Sequence, residues 1–315
     1  MTPAKNNRTL ILNDEDTQQF ASQCLIPDGT PLTATAIENR IIHSDLYAVL
    51  PHLPSAFVDL LIIDPPYNLR KNFNGLQFES IHREEYAAWF KSWFLPLLHV
   101  LKPEASVYIC AEWRTTPIIQ SIAEEHLLIR NRITWEREKG RGALTNWKNC
   151  SEDILFFTHS NSYVFNVDAV KLKRKVLAPY RSDEGAPKDW EETADGNFRT
   201  THPSNLWTDI SVPFWSMPEN TEHPTQKPEK LIAKLILASS HEGDFVFDPF
   251  LGSGTTAVTA KKLKRRFSGI EIDQKYAALS MARLAMTEED PTIQGYDGGC
   301  FYERNTLQYL KKKKD

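Results

Sequence analysis

A doubly wound α/β chain on a largely parallel, Rossmann-like sheet is the fold class this sequence predicts, and three observations predict it. Short apolar runs rich in β-branched residues recur along the chain, segments with helical spacing alternate with them, and late in the chain a glycine turn follows one strand and opens a helix. The runs are continuous rather than alternating, the pattern of strands covered on both faces.

In chain order, "IIH" at 41 and "VDLLIID" at 58 read as strands, and "REEYAAWFKSWFLPLLHVLK" (83–102) carries the apolar spacing of a helix. "SVYIC" at 106 is a strand, "TPIIQSIAEEH" (116–126) a helix, and "ITW" at 133 and "DILFF" at 153 are strands. The helix "KPEKLIAKLILASS" (227–240), the strand "DFVFD" at 244, the helix "TTAVTAKKLK" (255–264) and the strand "FSGIEI" at 267 complete the series. From about 160 to 222 the alternation fails, and Pro, Gly, charges and isolated tryptophans mix without a period. A compact domain rarely carries so long an irregular stretch without a use for it. The expected organisation is an N-terminal extension (1–35), one half of the main domain (36–135), an inserted irregular region (136–222), the other half (223–286) and a C-terminal extension (287–315) ending in a solvated "KKKKD".

The chain has 315 residues, 41% hydrophobic and 25% charged, enough for a sizeable core. Its net charge of -4 excludes a protein that coats a polyanion through overall charge and leaves room for a local basic face. Four separated cysteines without a CxxC pair fit neither a zinc ribbon nor a disulfide scaffold, and point to a reducing, cytoplasmic setting. There is no signal-like N-terminus and no run of the roughly 18 apolar residues that a membrane span needs. Nine histidines include no HExxH and no Cys/His cluster, so no metal site is expected.

"DFVFDPFLGSGTTAV" followed by "FSGIEID" gives strand, glycine turn, helix, strand and an acidic residue. Gly252 and Gly254 let the turn approach a ligand, Thr255 and Thr256 satisfy donors at the helix start, and Glu271 is placed to accept both hydroxyls of a ribose. The same letters satisfy the dinucleotide pattern of an NAD-dependent oxidoreductase. Asp248 tilts the reading: it would repel a pyrophosphate and welcome the ammonium of S-adenosylmethionine.

"LIIDPPYN" (61–68) ends an apolar strand in a carboxylate, two prolines and a tyrosine. Side chains at such a strand end project into the crevice where these sheets bind ligands. Two prolines fix the backbone and leave carbonyls free to accept. Asp64 and the Pro65 carbonyl thus form an acceptor-rich corner suited to an exocyclic amino group, and Tyr67 offers a face on which a base can stack. A simple strand end and turn is the plainer alternative.

Taken together, "DPPY" at 64, "HPTQKPEKLI" at 223 and "DPFLGSGTT" at 248 resemble the DNA amino-methyltransferases of the adenine-N6 and cytosine-N4 type, in the permuted β-class order, over roughly 40 to 285. The resemblance implies that Asp64, Pro65, Pro66 and Tyr67 form the catalytic corner. It implies that Asp248, Phe250, Gly252, Ser253, Gly254, Thr255 and Glu271 hold S-adenosylmethionine, with Asp45 and the segment Thr225, Gln226, Lys227 as further contacts. The aspartate at the first motif position favours adenine N6 in DNA, and cytosine N4 is the alternative. Family resemblance also implies double-stranded DNA as partner, a homodimer, and a cognate restriction endonuclease.

An enzyme of this kind must flip its target base out of the duplex, so something must grip the backbone meanwhile. Between 130 and 181 there are eleven Lys or Arg against five Asp or Glu, a local excess of positive charge. Arg70, Lys71, Arg137, Lys139, Arg141, Lys148, Lys173, Arg174 and Lys175 are the candidate DNA contacts, each alternatively part of a solvated charge run. Residues 136–222 are then the recognition region, with Trp147, Trp190, Trp207 and Trp215 as candidates for stacking or wedging. Trp135 resembles an aromatic near the family's target-base pocket and equally reads as core.

Overall fold

The structure, a computed structural model, describes residues 6–69, 71–73, 76–78, 81–137, 144–176, 180–193 and 196–304, with the backbone alone at 71–73 and 76–78. The first half runs through α1 (Asp14–Ala21), α2 (Ala34–Ile37), β1 (Arg40–His43), α3 (Leu46–Val49), β2 (Val58–Ile63), the hairpin β3 (Lys71–Phe73) and β4 (Leu76–Phe78), α4 (Arg83–Leu97), β5 (Leu101–Ala111), α5 (Thr116–Ala123), β6 (Leu128–Glu136) and β7 (Ser151–Thr158). Then follow β8 (Leu172–Lys175), β9 (Glu191–Thr193), β10 (Gly196–Thr201), β11 (Leu206–Trp207), α6 (Glu229–Ser239), β12 (Phe245–Asp248), α7 (Thr255–Lys262), β13 (Arg266–Glu271), α8 (Gln274–Met286), β14 (Tyr296–Asp297) and β15 (Cys300–Tyr302).

Eight strands form one sheet in the order β1-β13-β12-β2-β5-β7-β6-β11. It is parallel except for β7, which runs antiparallel to both β5 and β6. The period of two divides each strand between two cores. Leu61, Ile63, Val107, Ile109, Phe245 and Phe247 meet Phe90, Trp93 and Phe94 of α4 on one face. Leu60, Ile62, Tyr108, Cys110 and Val246 meet Leu231 and Leu235 of α6 and Val258 of α7 on the other. Burial on both faces explains why the strands read as continuous apolar runs.

Four helices go beyond the sequence expectation, the short α2 and α3 and the longer α1 and α8. α8 is a thirteen-residue helix capped by Asp273, whose side chain accepts from the Tyr276 amide. Against it lies α1, capped in turn by Asn13, with Leu12 and Ala21 buried on Tyr276, Leu279 and Ala282.

The region 136–222 is not the uniformly irregular insert that its composition suggests. β7 lies inside the large sheet, and β8, β9 and β10 form a second sheet with the chain end, in the order β14-β15-β8-β10-β9. These strands escape sequence reading because they are short and rich in Lys, Arg and Thr, as in "LKRK" of β8, where only Leu172 is fully buried. The link between the two sheets is α6, anchored on the large-sheet side by Asp209, just after β11. Asp209 is buried between the ammonium groups of Lys230 and Lys234 on α6, and Lys230 also donates to the Tyr302 carbonyl of β15. Burial opposes the charge on Asp209, but the two ammonium groups outweigh it and hold the carboxyl below its ordinary range.

Trp190 and Trp207 are core residues rather than wedges, and Trp135 is 1% exposed with its indole N–H on the Ile210 carbonyl. Trp147 and Trp215, by contrast, stand in solvent. Among the described residues no helix is long and apolar enough to cross a membrane.

Gly254 begins α7 at φ 81°, and a Cβ there would meet Ser280 Cβ at 2.7 Å and its Cα at 2.9 Å. Gly243 has a similar φ of 85° with nothing within 4 Å of that position. Gly254→Ala should therefore cost about 3 kcal/mol or more, and Gly243→Ala only the about 1–2 kcal/mol of left-handed backbone strain. Urea unfolding of both variants checks this, and equal losses would contradict the packing assigned to the glycine turn.

Candidate active site

Three carboxylates gather at one edge of the sheet because adjacent parallel strands all end there. Asp64 follows β2, Asp248 ends β12 and Glu271 ends β13. They face a cavity of about 330 Å³. The candidate residues Asp45, Asp64, Pro65, Pro66, Tyr67, Thr225, Gln226, Lys227, Asp248, Phe250, Gly252, Ser253, Thr255 and Glu271 all line it, and Gly254 lies just behind as the cap of α7.

The turn between β12 and α7 is held from both sides. Glu271 accepts from the Gly252 amide at 2.7 Å and from the Asp273 amide at 2.8 Å. Asp248 accepts from the Phe250 amide at 3.0 Å and from the Thr256 hydroxyl at 2.6 Å. Behind the turn, the buried Arg283 of α8 donates to the Ser253 carbonyl, the Thr255 hydroxyl and Glu229. Sequence reading missed Arg283, although a lone arginine among the alanines of "YAALSMARLAM" was a visible anomaly.

Asp248 and Glu271 are hard to ionise. Burial pushes Asp248 up to about 7, against the Thr256 and Phe250 hydrogen bonds that favour its charged form. Burial likewise pushes Glu271 up to about 7, against the amides of Asp273 and Gly252. Each carboxylate offers about four acceptor positions. With two occupied, each keeps acceptors for a cation or for hydroxyl groups. Such a set fits an ammonium and a ribose and repels a pyrophosphate, which removes the basis for a dinucleotide at this loop.

Several candidates are engaged otherwise than expected. The Gln226 amide closes its own turn, accepting from Thr221 and donating to the Glu219 carbonyl. Thr255 donates to the Lys227 carbonyl at 3.1 Å. Asp45 caps α3 through the Tyr47 amide. Lys227, expected among the cofactor contacts, instead sets its ammonium on both Asp64 oxygens, at 2.8 and 2.7 Å. It lies 3.3 Å from Glu152 as well. The segment before α6 lines the same cavity as Asp64, within reach of a four-carbon stem. Burial alone would lower its pKa, but Asp64 and Glu152 outweigh that and hold it above the ordinary lysine value.

Tyr67 turns its hydroxyl into the same cluster, donating to Asp64 at 3.0 Å and to Glu152 at 3.3 Å. Burial, then these two carboxylates, push its phenol well above the usual range, so it remains a donor. Glu152 is a second member of the site that sequence reading missed. It stands at the start of β7, and because β7 is antiparallel its first residues lie at the edge where the parallel strands end. A second carboxylate-bearing residue, Asp153, follows it. An acidic pair opening the apolar run "DILFF" was the available signal.

Of the candidate DNA contacts, Arg70, Lys139 and Arg141 lie outside the described residues, and Lys71 is described by its backbone only. Arg137 is ion-paired with Glu152. Lys148 is exposed in the segment before β7. Lys173, Arg174 and Lys175 fall on β8, with Arg174 3.5 Å from Glu303 and the Lys173 ammonium 5.4 Å from the Phe198 ring centre.

Comparison with known proteins agrees with this geometry. The DNA methylase family model matches residues 58–282. The chain is 34% identical over 264 residues to the type II methyltransferase M.HpaI of Haemophilus parainfluenzae, covering 83% of this chain and 77% of that one. It is 34% identical over 281 residues to the DNA adenine methyltransferase YhdJ of Escherichia coli K12, covering 87% and 88%. Among solved structures, the M1.HpyAVI–SAM complex matches with a TM-score of 0.53 at 22% identity, covering 78% of this chain and 98% of that one. The cytosine-N4-specific PvuII DNA methyltransferase matches at 0.57 and 18%, covering 78% and 85%; both likenesses speak to fold alone. The match across both halves of the sheet, together with a carboxylate corner beside a glycine-loop cavity, places the chain in the family of N6-adenine and N4-cytosine DNA methyltransferases.

Proposed function

We propose that this chain methylates the exocyclic N6 of adenine in double-stranded DNA, with S-adenosylmethionine as methyl donor. The observation that carries the reading is Asp64, a carboxylate at the end of β2 and on the same cavity as Asp248 and Glu271. Adenine rather than cytosine is favoured by the aspartate at that position and by the similarity to a relative named as an adenine methyltransferase. Cytosine N4 is the second reading, since the same corner holds any exocyclic amine.

When bound, the cofactor supplies an electrophilic methyl group. The residues around it have separable tasks. Asp248 meets the ammonium of its methionyl part, Glu271 accepts from the ribose hydroxyls, and Phe250, packed 4.8 Å from Trp93 between ring centres, forms an apolar wall. Asp64 accepts one hydrogen of the target amine and the Pro65 carbonyl the other. That orients the nitrogen lone pair and supplies charge where the transition state becomes positive. Asp64 then takes the surplus proton. On the DNA side, Lys173, Arg174, Lys175 and Lys148 meet backbone phosphates, which fixes position without reading sequence.

Incubating the protein with unmethylated bacterial DNA and isotopically labelled S-adenosylmethionine, then analysing the digested nucleosides by mass spectrometry, should give labelled N6-methyladenine. Labelled N4-methylcytosine would select the second reading, and no labelled nucleoside would refute both. Asp64→Ala should lower kcat by roughly a thousandfold while cofactor binding persists. Cofactor affinity should rise roughly five- to tenfold between about pH 6 and 7.5, because binding an ammonium requires the ionised form of a carboxylate whose pKa lies near 7. Calorimetric titration checks this, with Asp248→Asn flattening the profile; a flat profile in the unaltered protein would contradict the role given to Asp248.

A further inference from the structure

The position of Lys227 conflicts with the task given to Asp64. Its ammonium takes both carboxylate oxygens, the same acceptors that a target amine needs. A base and this lysine compete for one site. Lys227 is 8% exposed and Glu152 4%, while Asp64, at 24%, keeps one side open to the cavity that a base would enter.

Glu152 is where the ammonium can go. It already lies 3.3 Å from it and shares the Tyr67 hydroxyl with Asp64, so a short rotation of the lysine stem trades one carboxylate for the other. What holds Glu152 back is Arg137, whose guanidinium neutralises it from the far side. Asp64 and Glu152 against Lys227 and Arg137 sum to zero charge. Without Arg137 the cluster carries one negative charge, the complement of the positive charge that methylation places on the amine. Arg137 is also the more exposed of the two cations, at 30%, and follows directly on the end of β6.

We propose that Lys227 is a retractable block on Asp64, released when Arg137 exchanges Glu152 for a DNA phosphate, so that Glu152 draws the ammonium away and the corner opens only on DNA. This rests on the DNA amino-methylation reading above. Glu152, Lys227 and Arg137 are positioning residues: they act through Asp64 and take no part in forming or breaking the reacting bonds.

Steady-state kinetics on duplex DNA with three variants tests it. Glu152→Gln keeps the shape and removes the charge that pulls Lys227 off Asp64; it should lower kcat roughly a hundredfold and leave the dissociation constant for S-adenosylmethionine within about threefold. Adding Lys227→Met to Glu152→Gln should restore kcat by roughly tenfold, since the block is gone. Arg137→Met, independent of any folding defect at Lys227, should raise KM for DNA roughly tenfold and leave kcat within about threefold. A double variant no faster than Glu152→Gln, or an Arg137→Met variant whose loss falls on kcat, overturns the proposal while the unaltered enzyme still methylates DNA. If the unaltered enzyme transfers no methyl group, the methyltransferase reading fails first and this proposal with it.

Discussion

Buried and half-buried carboxylates crowded at one edge of a sheet are the constraint on which the rest of the site depends. Asp64, Asp248, Glu271 and Glu152 all face or border one cavity, and burial destabilises each unless a partner meets it. Two are met from within the protein, by Lys227 and Arg137. The other two are met by backbone amides and a hydroxyl and remain near neutrality in their pKa, which leaves them dependent on what enters the cavity. The fit proposed for a cationic, hydroxyl-rich ligand thus follows from how the sheet ends.

The sheet produces this crowding through its topology. Parallel strands β13, β12 and β2 lie side by side and present their carboxyl ends together, and the one reversed strand, β7, contributes its beginning to the same edge. Helices on both faces keep the central residues of these strands largely apolar, and Asp64, Asp248 and Glu271 are carboxylates standing at the strand ends that open on the crevice. The second sheet, closed by the returning chain end and held to α6 through Lys230 and the Tyr302 carbonyl, sets the basic strand β8 on the body of the protein that carries the site.

What the sequence made legible is what is local in the chain. Asp64 to Tyr67, and Asp248 to Thr255, are contiguous motifs whose chemistry can be argued from the letters, and the strands and helices around them follow from apolar period. What it concealed is what the fold brings together. Lys227 and Asp64 are 163 positions apart, and no pattern in "HPTQKPEKLI" says that its lysine faces a carboxylate rather than a ligand. Glu152 reaches the Asp64 corner only because β7 runs backwards, and strand direction is not written in "SEDILFF". β8 to β10 lack an apolar run because their burial is partial, so the second sheet was invisible to a reading based on hydrophobic pattern.

The central claim is that Asp64 accepts an amine from the target base. A crystal structure of the protein with duplex DNA and S-adenosylhomocysteine measures it most directly. The account predicts the amino nitrogen of an extruded adenine at about 3 Å from an Asp64 oxygen, with the Lys227 ammonium displaced toward Glu152. An extruded base whose amine is held elsewhere, with Lys227 still across both Asp64 oxygens, would contradict it.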